Sequence, residues 1–227
     1  MGQFLVTGEN QPQIPPPTPD FVPPPKPPIP GRANDGNDGG ALWWDRDDPG
    51  QAGADGESGD FGIDGQAGLP GGSVPMGTTI VINREIDGIY HVLISGGKGQ
   101  PGGDAGRGGD GGRGQDGGHG DDEQPAGSGG RGGRGGNGGR GGAGGNGGNI
   151  FEVDIIVGPG IDASQVAILY TQGFGASGGR GGDPGAGGGG GTNGDGGTTA
   201  MQGDAGINPG FGPNGTSGIV SPAKILA

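Results

Sequence analysis

Residues 96–149 read GGKGQPGGDAGRGGDGGRGQDGGHGDDEQPAGSGGRGGRGGNGGRGGAGGNGGN: eighteen consecutive triplets in one frame, with glycine first in fifteen and Ala105, Glu123 and Ala126 as the exceptions. From Gly129 onward the second position is glycine as well. A conformation with three residues per turn puts every third side chain on one edge, and polyproline II geometry has that period, rising about 3.1 Å per residue. Two edges are then bare backbone. The third carries Lys98, Pro101, Asp104, Arg107, Asp110, Arg113, Asp116 and His119, and later Arg131, Arg134, Asn137, Arg140, Asn146 and Asn149. The pattern predicts a solvent edge on which acid alternates with base from Asp104 to Asp116.

Such a helix makes no internal hydrogen bonds, and alone it is a flexible coil. Beside others of its kind, its glycine rows let backbones approach until amides and carbonyls pair. The composition is also that of a disordered linker, but a linker has no reason to keep one frame across 54 residues. The frame therefore predicts a bundle of polyglycine II helices. Segments 50–71, 96–120, 129–149 and 178–198 are of similar length, each roughly 65 to 78 Å at that rise. Ordering a residue costs about 1 to 2 kcal/mol, against a net gain of about 0.5 to 1.5 kcal/mol per hydrogen bond. The bundle needs a strand layer or other subunits to tip the balance.

Outward from this stretch the chain divides into four parts. Residues 1–30 hold a short β-type segment at 3–7 (QFLVT) and then an extended arm with eleven prolines from Pro12 to Pro30, a semi-rigid spacer. A terminal strand on a stiff arm can add to a neighbour's sheet, so Phe4, Leu5 and Val6 are candidate assembly residues. Residues 31–49 form an acidic loop with Trp43 and Trp44 beside Asp45, Asp47 and Asp48. Aromatics in such a setting stack on sugar rings or anchor an interface, and equally serve as a lid over a small core. Residues 50–72 are collagen-like, but with one proline in seven triplets a three-chain helix is weak, and another polyproline II-type member of the bundle is the reading. Residues 73–227 interleave glycine helices with two expected β-hairpins, 78–95 turning at Asp87-Gly88 and 150–172 turning at Gly158-Pro159-Gly160. Glycine lapses at 121–126, the expected point of chain reversal, and resumes in a new phase from Gly179 to Gly218.

Composition excludes more than it includes. The 227 residues contain 69 Gly, 21 Pro and no Cys, with 4% aromatic residues and a net charge of −13. This is repeat composition, without disulfides or thiolate metal sites. With His91 and His119 as the two histidines, neither a catalytic triad nor a zinc site assembles; no enzyme activity, cofactor or metal is expected. Residues 111–119 half-match a calcium-binding nonapeptide, but Gly118 stands where an apolar residue must pack. Arg131, Arg134 and Arg140 sit in an RGG-like run, yet the acidic total and the lack of interleaved aromatics argue against nucleic acid. No apolar run approaches a membrane span, and the N-terminus lacks a basic region followed by an apolar core, so no ordinary secretory signal is expected there.

The GGR and GGN triplets between the strands HVLIS and IFEVDIIV resemble the glycine-rich domains of tail-fibre-tip adhesins of T-even-like phages. They are also similar to bacterial collagen-like, Gly-rich surface proteins. The likeness covers roughly residues 96–218. It implies a polyglycine II sandwich whose connecting loops bind outer-membrane receptors. The fibre-attachment domain of the adhesins is not recognisable; the proline arm and the collagen-like run stand in its place. Snow-flea-type antifreeze proteins share the packing, but their disulfides are missing here and a charged edge is a poor ice face.

The expectation is a mostly irregular and β fold: a bundle of polyglycine II and polyproline II helices with short β-hairpins. Its expected role is a non-enzymatic, self-assembling fibre subunit, extracellular or on a virion or cell surface, with itself as partner. The alternative is an adhesin that presents loops 121–126 and 158–164 and the Trp43-Trp44 loop to a surface glycan or outer-membrane protein. Its candidate recognition residues are Trp43, Trp44, Asp121, Asp122 and Glu123.

Overall fold

The apolar residues of this chain are concentrated in a few short β-branched stretches, and in these the side chains alternate. In Tyr90–Ser95 every second residue is buried, as it is in Val153–Val157. That period puts one face of each strand against a core. In a computed structural model, which describes residues 2–19, 22–36, 48–84, 88–121 and 124–226, six strands form: β1 (Gly2–Thr7), β2 (Thr78–Ile82), β3 (Tyr90–Ser95), β4 (Val153–Val157), β5 (Val166–Thr171) and β6 (Lys224–Leu226). They make two three-stranded sheets, ordered β1-β3-β5 and β2-β4-β6, and every pairing is parallel. Among the described residues there is no α-helix; one short 3-10 turn, Ala163–Gln165, follows Asp162. Most of the chain is irregular.

The two sheets bury one cluster: Val74, Ile80, Ile82, Tyr90, Val92, Ile94, Ile150, Val153, Ile155 and Val157, with Phe4, Val6, Val166 and Ile168 packed against it. Burying an aliphatic side chain of this size contributes about 1.5 to 3 kcal/mol. That is the strand layer the near-balanced glycine segments need.

Six extended runs lead into or out of the strands. Run 1 (8–19 and 22–36) follows β1 and run 2 (50–72) precedes β2; run 3 (96–120) follows β3 and run 4 (127–149) precedes β4; run 5 (173–194) follows β5 and run 6 (200–218) precedes β6. Runs 1, 3 and 5 lie parallel in one layer: Gln11 N–H donates to Lys98 O, Gly99 to Phe174 O and Gly117 to Thr192 O. Runs 2, 4 and 6 lie parallel in the other, where Gly53 donates to Ser128 O and Gly135 to Asp204 O. Between layers the direction is opposite, since Gly103 donates to Gln66 O and Gly118 to Gln51 O. Along the glycine runs these rungs recur every third residue.

Glycine is required there by close approach. A Cβ at Gly133 would stand 1.9 Å from Glu57 O, and one at Gly182 would stand 1.8 Å from Gly106 O. The glycine amides of run 2 that a collagen trimer would turn to other chains donate instead to run 4, from Ser128 O to Asn146 O.

The expected hairpins are not formed. β2 and β3, and likewise β4 and β5, are consecutive in the chain but lie in opposite sheets. Each strand prolongs a run of its own layer, and runs within a layer are parallel, so the strands inherit that order. At the first expected turn Asp87 lies outside the described residues, and Gly88 has a φ of 114°. The glycine frame from Gly179 to Gly218 is likewise not one segment. It reverses at a turn where Asn193 N–H donates to Thr198 O and Thr192 bridges Thr199 in antiparallel fashion.

Candidate recognition surface

In runs 3 to 6 the amides of several residues whose side chains point outward are partnered by side chains of the adjacent run rather than by its backbone. The outward Asp and Asn residues supply those side chains. Asp104 Oδ1 accepts from Arg180 N at 2.7 Å, while the next amide, Ala105 N–H, donates to Arg180 O at 2.9 Å. One dipeptide thus clamps both polar groups of one residue in the adjacent run. The same clamp is made by Asn10, Asp35, Asp55, Asp64, Ser73, Asp110, Asp116, Asn137, Asn146 and Asn149. In every case the acceptor belongs to the earlier strand–run–run–strand unit and the clamped residue to the next. The row is the solvent edge that the triplet frame predicts, exposed at Asp104, Arg107, Arg113, Arg131, Arg134 and Arg140, and its Asp and Asn residues also clamp the adjacent run, for which the Asp-Gly and Asn-Gly pairs recurring in the frame are the signal.

The clamps set charge states. Asp110 is held below the ordinary carboxylate range by the Ala186 backbone N–H, with help from the Arg107 guanidinium. Asp116 is lowered in the same way by the Thr192 backbone N–H and by Arg113. Arg107 pairs with Asp110 at 2.6 Å, Arg113 with Asp116 at 2.7 Å and Arg180 with Asp183 at 3.0 Å. In the other layer Arg131, Arg134 and Arg140 have no ion pair among the described residues, because no carboxylate follows three residues on.

The clamp register turns the outer face of runs 2, 4 and 6 into a grid. Asp55 stands beside Arg131, and Asp64 beside Arg140. Asn137 stands beside Ile207, and Asn146 beside Thr216. Two shallow grooves cross it. One, of about 250 Å³, is polar, lined by Asp55, Ser58, Arg131, Arg134, Gln202 and Asp204. The other, of about 270 Å³, runs between Phe61 and the pair Ile207 and Pro209, over Gly62 and Gly138, with Asp64, Asn137 and Arg140 around it. On the opposite layer a groove of about 300 Å³ is lined by Thr18, Pro19 and Val22 and by Asp104, Arg107, Arg180 and Asp183 of runs 3 and 5.

The residues nominated from sequence are distributed as follows. Phe4, Leu5 and Val6 lie in β1, paired with Val92, Leu93 and Ile94 of the same chain. Phe4 and Val6 pack on the core, whereas Leu5 is 66% exposed. The arm that follows does not project: it lies along run 3, with Lys26 N–H donating to Asp110 O and the Lys26 ammonium 3.1 Å from Asp60. Further hydrogen bonds hold it there, with Ala33 N–H donating to Asp116 O and Gln100 Nε2 donating to Ile14 O. Asp121 accepts from Gln124 N–H in the turn between runs 3 and 4. Trp43, Trp44, Asp122 and Glu123 lie outside the described residues. Loop 158–164 emerges beyond β4, at the strand end, away from the turn at Asp121. The turn between runs 5 and 6 was missed, because the glycine frame runs through it. No cluster of His, Cys, Asp or Glu fit to hold a metal occurs among the described residues, and none of their helices is long and apolar enough to cross a membrane.

No family model matches the chain, and no curated protein matches it. Among solved structures it is similar to the nine polyproline type II helical bundle springtail antifreeze protein from Granisotoma rainieri. That likeness is 26% identical over 74% of this chain and 95% of that one, with a TM-score of 0.16. At that score it carries no argument about fold or function.

Proposed function

We propose that this chain is a non-enzymatic surface-recognition protein of the adhesin type, built as a sandwich of polyglycine II and polyproline II helices that holds three turns together as a binding tip. Rungs at every third residue, most of them donated by glycines with no room for a Cβ, support the helical reading. The observation that carries the role is the convergence of the turns. Gly36 N–H donates to His119 O, Gln51 to Asn34 O, Gly50 to Pro125 O and Gly194 to Gly127 O. Gly36 and Gly50, Gly120 and Gly127, and Gly194 and Ala200 therefore all lie at the end remote from the sheets, and the segments that join these pairs in sequence are 37–49, 121–126 and 195–199. Between them they carry Trp43, Trp44, Asp121, Asp122, Glu123 and Asp195. Loops grouped on a rigid scaffold are where binding residues concentrate. The partner is a cell-surface glycan or outer-membrane protein, met outside the cell or on a virion, and no cofactor takes part.

The test is adhesion of the labelled full-length chain to a panel of bacterial cells, beside a variant with 121–126 and 195–199 replaced by Gly-Ser turns. Adhesion lost in that variant, with its melting unchanged, is the expected result; adhesion unchanged in it refutes the tip.

A second reading, a self-assembling fibre, is favoured by one observation. Leu5, Leu93 and Leu169 stand in register on the outer face of one sheet, and Val81, Ile156 and Leu226 on the outer face of the other. In this reading Leu5 joins copies face to face. Negative-stain microscopy of the purified chain decides it: filaments abolished by Leu5→Glu support the fibre, and single particles at every concentration refute it.

A further inference from the structure

We propose that the groove beside Phe61 is a subsite for one pyranose ring of a neutral hexose glycan, so that the outer face of runs 2, 4 and 6 binds sugar independently of the tip; this rests on the adhesin reading for its biological setting. Phe61 is 72% exposed, in a position of run 2 whose register neighbours are the clamping residue Asn137 and its partner Ile207. The ring therefore forms one wall of a groove of about 270 Å³, with Ile207 and Pro209 as the other and the bare backbone of Gly62 and Gly138 as floor. An aromatic wall above a glycine floor suits the apolar C–H face of a sugar ring, which needs a flat surface and close approach.

The polar groups around the groove are of the types that hydroxyl pairs require. Asp64 spends one carboxylate oxygen on Arg140 N at 2.7 Å, which leaves the other as an acceptor. Asn137 spends its Oδ1 on Ile207 N at 2.9 Å, which leaves its NH₂ as a donor. The Arg140 guanidinium has no ion pair among the described residues, so its planar fork of N–H groups remains available. Both fixed side chains are held by the clamps before any ligand arrives, which lowers the ordering cost of binding.

Charge selects a neutral ligand. Asp64 balances Arg140 within the groove, and in the neighbouring polar groove Asp55 and Asp204 offset Arg131 and Arg134. A polyanion would meet carboxylates at both. Among the described residues, those lining the groove on the opposite layer include no aromatic, and its arginines are paired.

The experiment is saturation-transfer NMR and titration calorimetry on the full chain with hexamers of α-glucose, β-glucose, mannose and galactose, and a galacturonate hexamer as the charged control. At least one neutral hexamer is expected to bind, Phe61→Ala to weaken it at least tenfold with unchanged melting, Phe61→Trp to retain it, and Arg140→Gln to weaken it. Binding of none of the neutral hexamers, binding only of the galacturonate, or binding indifferent to Phe61→Ala overturns the subsite. The two readings fail separately. Cell adhesion that survives Phe61→Ala together with absent hexamer binding sinks the subsite and leaves the tip. Hexamer binding through Phe61 by a chain that adheres to no cell sinks the adhesin and leaves the subsite.

Discussion

Two glycines separate what this backbone demands from what it merely tolerates. At Gly133 a methyl group would stand 1.9 Å from Glu57 O, whereas at Gly189 nothing lies within 4 Å and φ is not positive. Gly133→Ala must push two backbones apart and lose the rungs on either side, so a cost of about 3 kcal/mol or more is expected from overpacking and lost hydrogen bonds. Gly189→Ala is expected to change stability by less than about 1 kcal/mol, in the stabilising direction, because alanine restricts the unfolded chain. Thermal melts of both variants check the contrast, and equal melting temperatures would refute it. The clamp at Asp110 gives a sharper case. Asn makes the same clamp at positions 137 and 146, so Asp110→Asn should keep Ala186 N–H satisfied, while Asp110→Ala leaves it without its side-chain acceptor at a cost of about 1 to 2 kcal/mol. The pH dependence follows from sign. Asp110 and Asp116 have folded-state pKa values below the ordinary carboxylate value. Their contribution is present above the unfolded value and is lost as pH falls below it through the folded values. Melting temperature should therefore drop as pH falls below about 4, and more shallowly in a double Asn variant at 110 and 116.

At the scale of elements, the strands and the runs stabilise one another. Ile155 is fully buried between the sheets, and Ile155→Ala should cost about 2 to 5 kcal/mol. Because the runs alone are close to energetic balance, that loss should melt strands and runs in one transition, followed by circular dichroism at two wavelengths; separate transitions would show that the runs stand without the sheets. The sequence revealed the runs because a period of three is written in glycine, and revealed the strands because alternation is written in Ile and Val. Strand pairing was not legible. Asp87-Gly88 and Gly158-Pro159-Gly160 are hairpin signals at short range, but each strand pairs in parallel with a strand 70, 75, 76 or 88 residues away. The clamps were hidden for the same reason: a carboxylate on an outward edge is a solvent group until the next unit arrives in register. Phe61 was hidden in a collagen-like triplet, where its neighbours Asn137 and Ile207 are distant in sequence, and Leu5 stood undistinguished from Phe4 and Val6 until β1 acquired a face.

The whole molecule is three strand–run–run–strand units laid side by side, and a stack of repeats extends until something stops it. At the boundary between runs 4 and 6 the donating row is glycine, with the clamp acceptors Asn137 and Asn146 beside two of its members. Run 4 presents Gly132, Gly135, Gly138, Gly144 and Gly147 to run 6 in this way. The positions that would face a fourth unit, 70 residues on by the register of Asn137 with Ile207, are Gln202, Ala205, Asn208, Phe211, Asn214 and Ser217. Their side chains occupy the space that a further backbone would need, and Phe211 is 75% exposed there. At the other side run 1 carries eleven prolines between Pro12 and Pro30, and a proline has no N–H to offer a neighbour. Both lateral edges are thus closed by the means that protect edge strands of sheets, a missing donor on one side and a projecting side chain on the other. Opening the edge at run 6 with a Gln202→Gly, Ala205→Gly, Asn208→Gly and Phe211→Gly variant should let copies join side by side. Light scattering coupled to gel filtration should then report a mass that rises with concentration, while Leu5→Glu, placed on a sheet face, leaves that lateral association unchanged. A variant that stays at the mass of the parent chain while keeping its melting transition would show that the register of the clamps, and not the side chains of run 6, ends the stack at three.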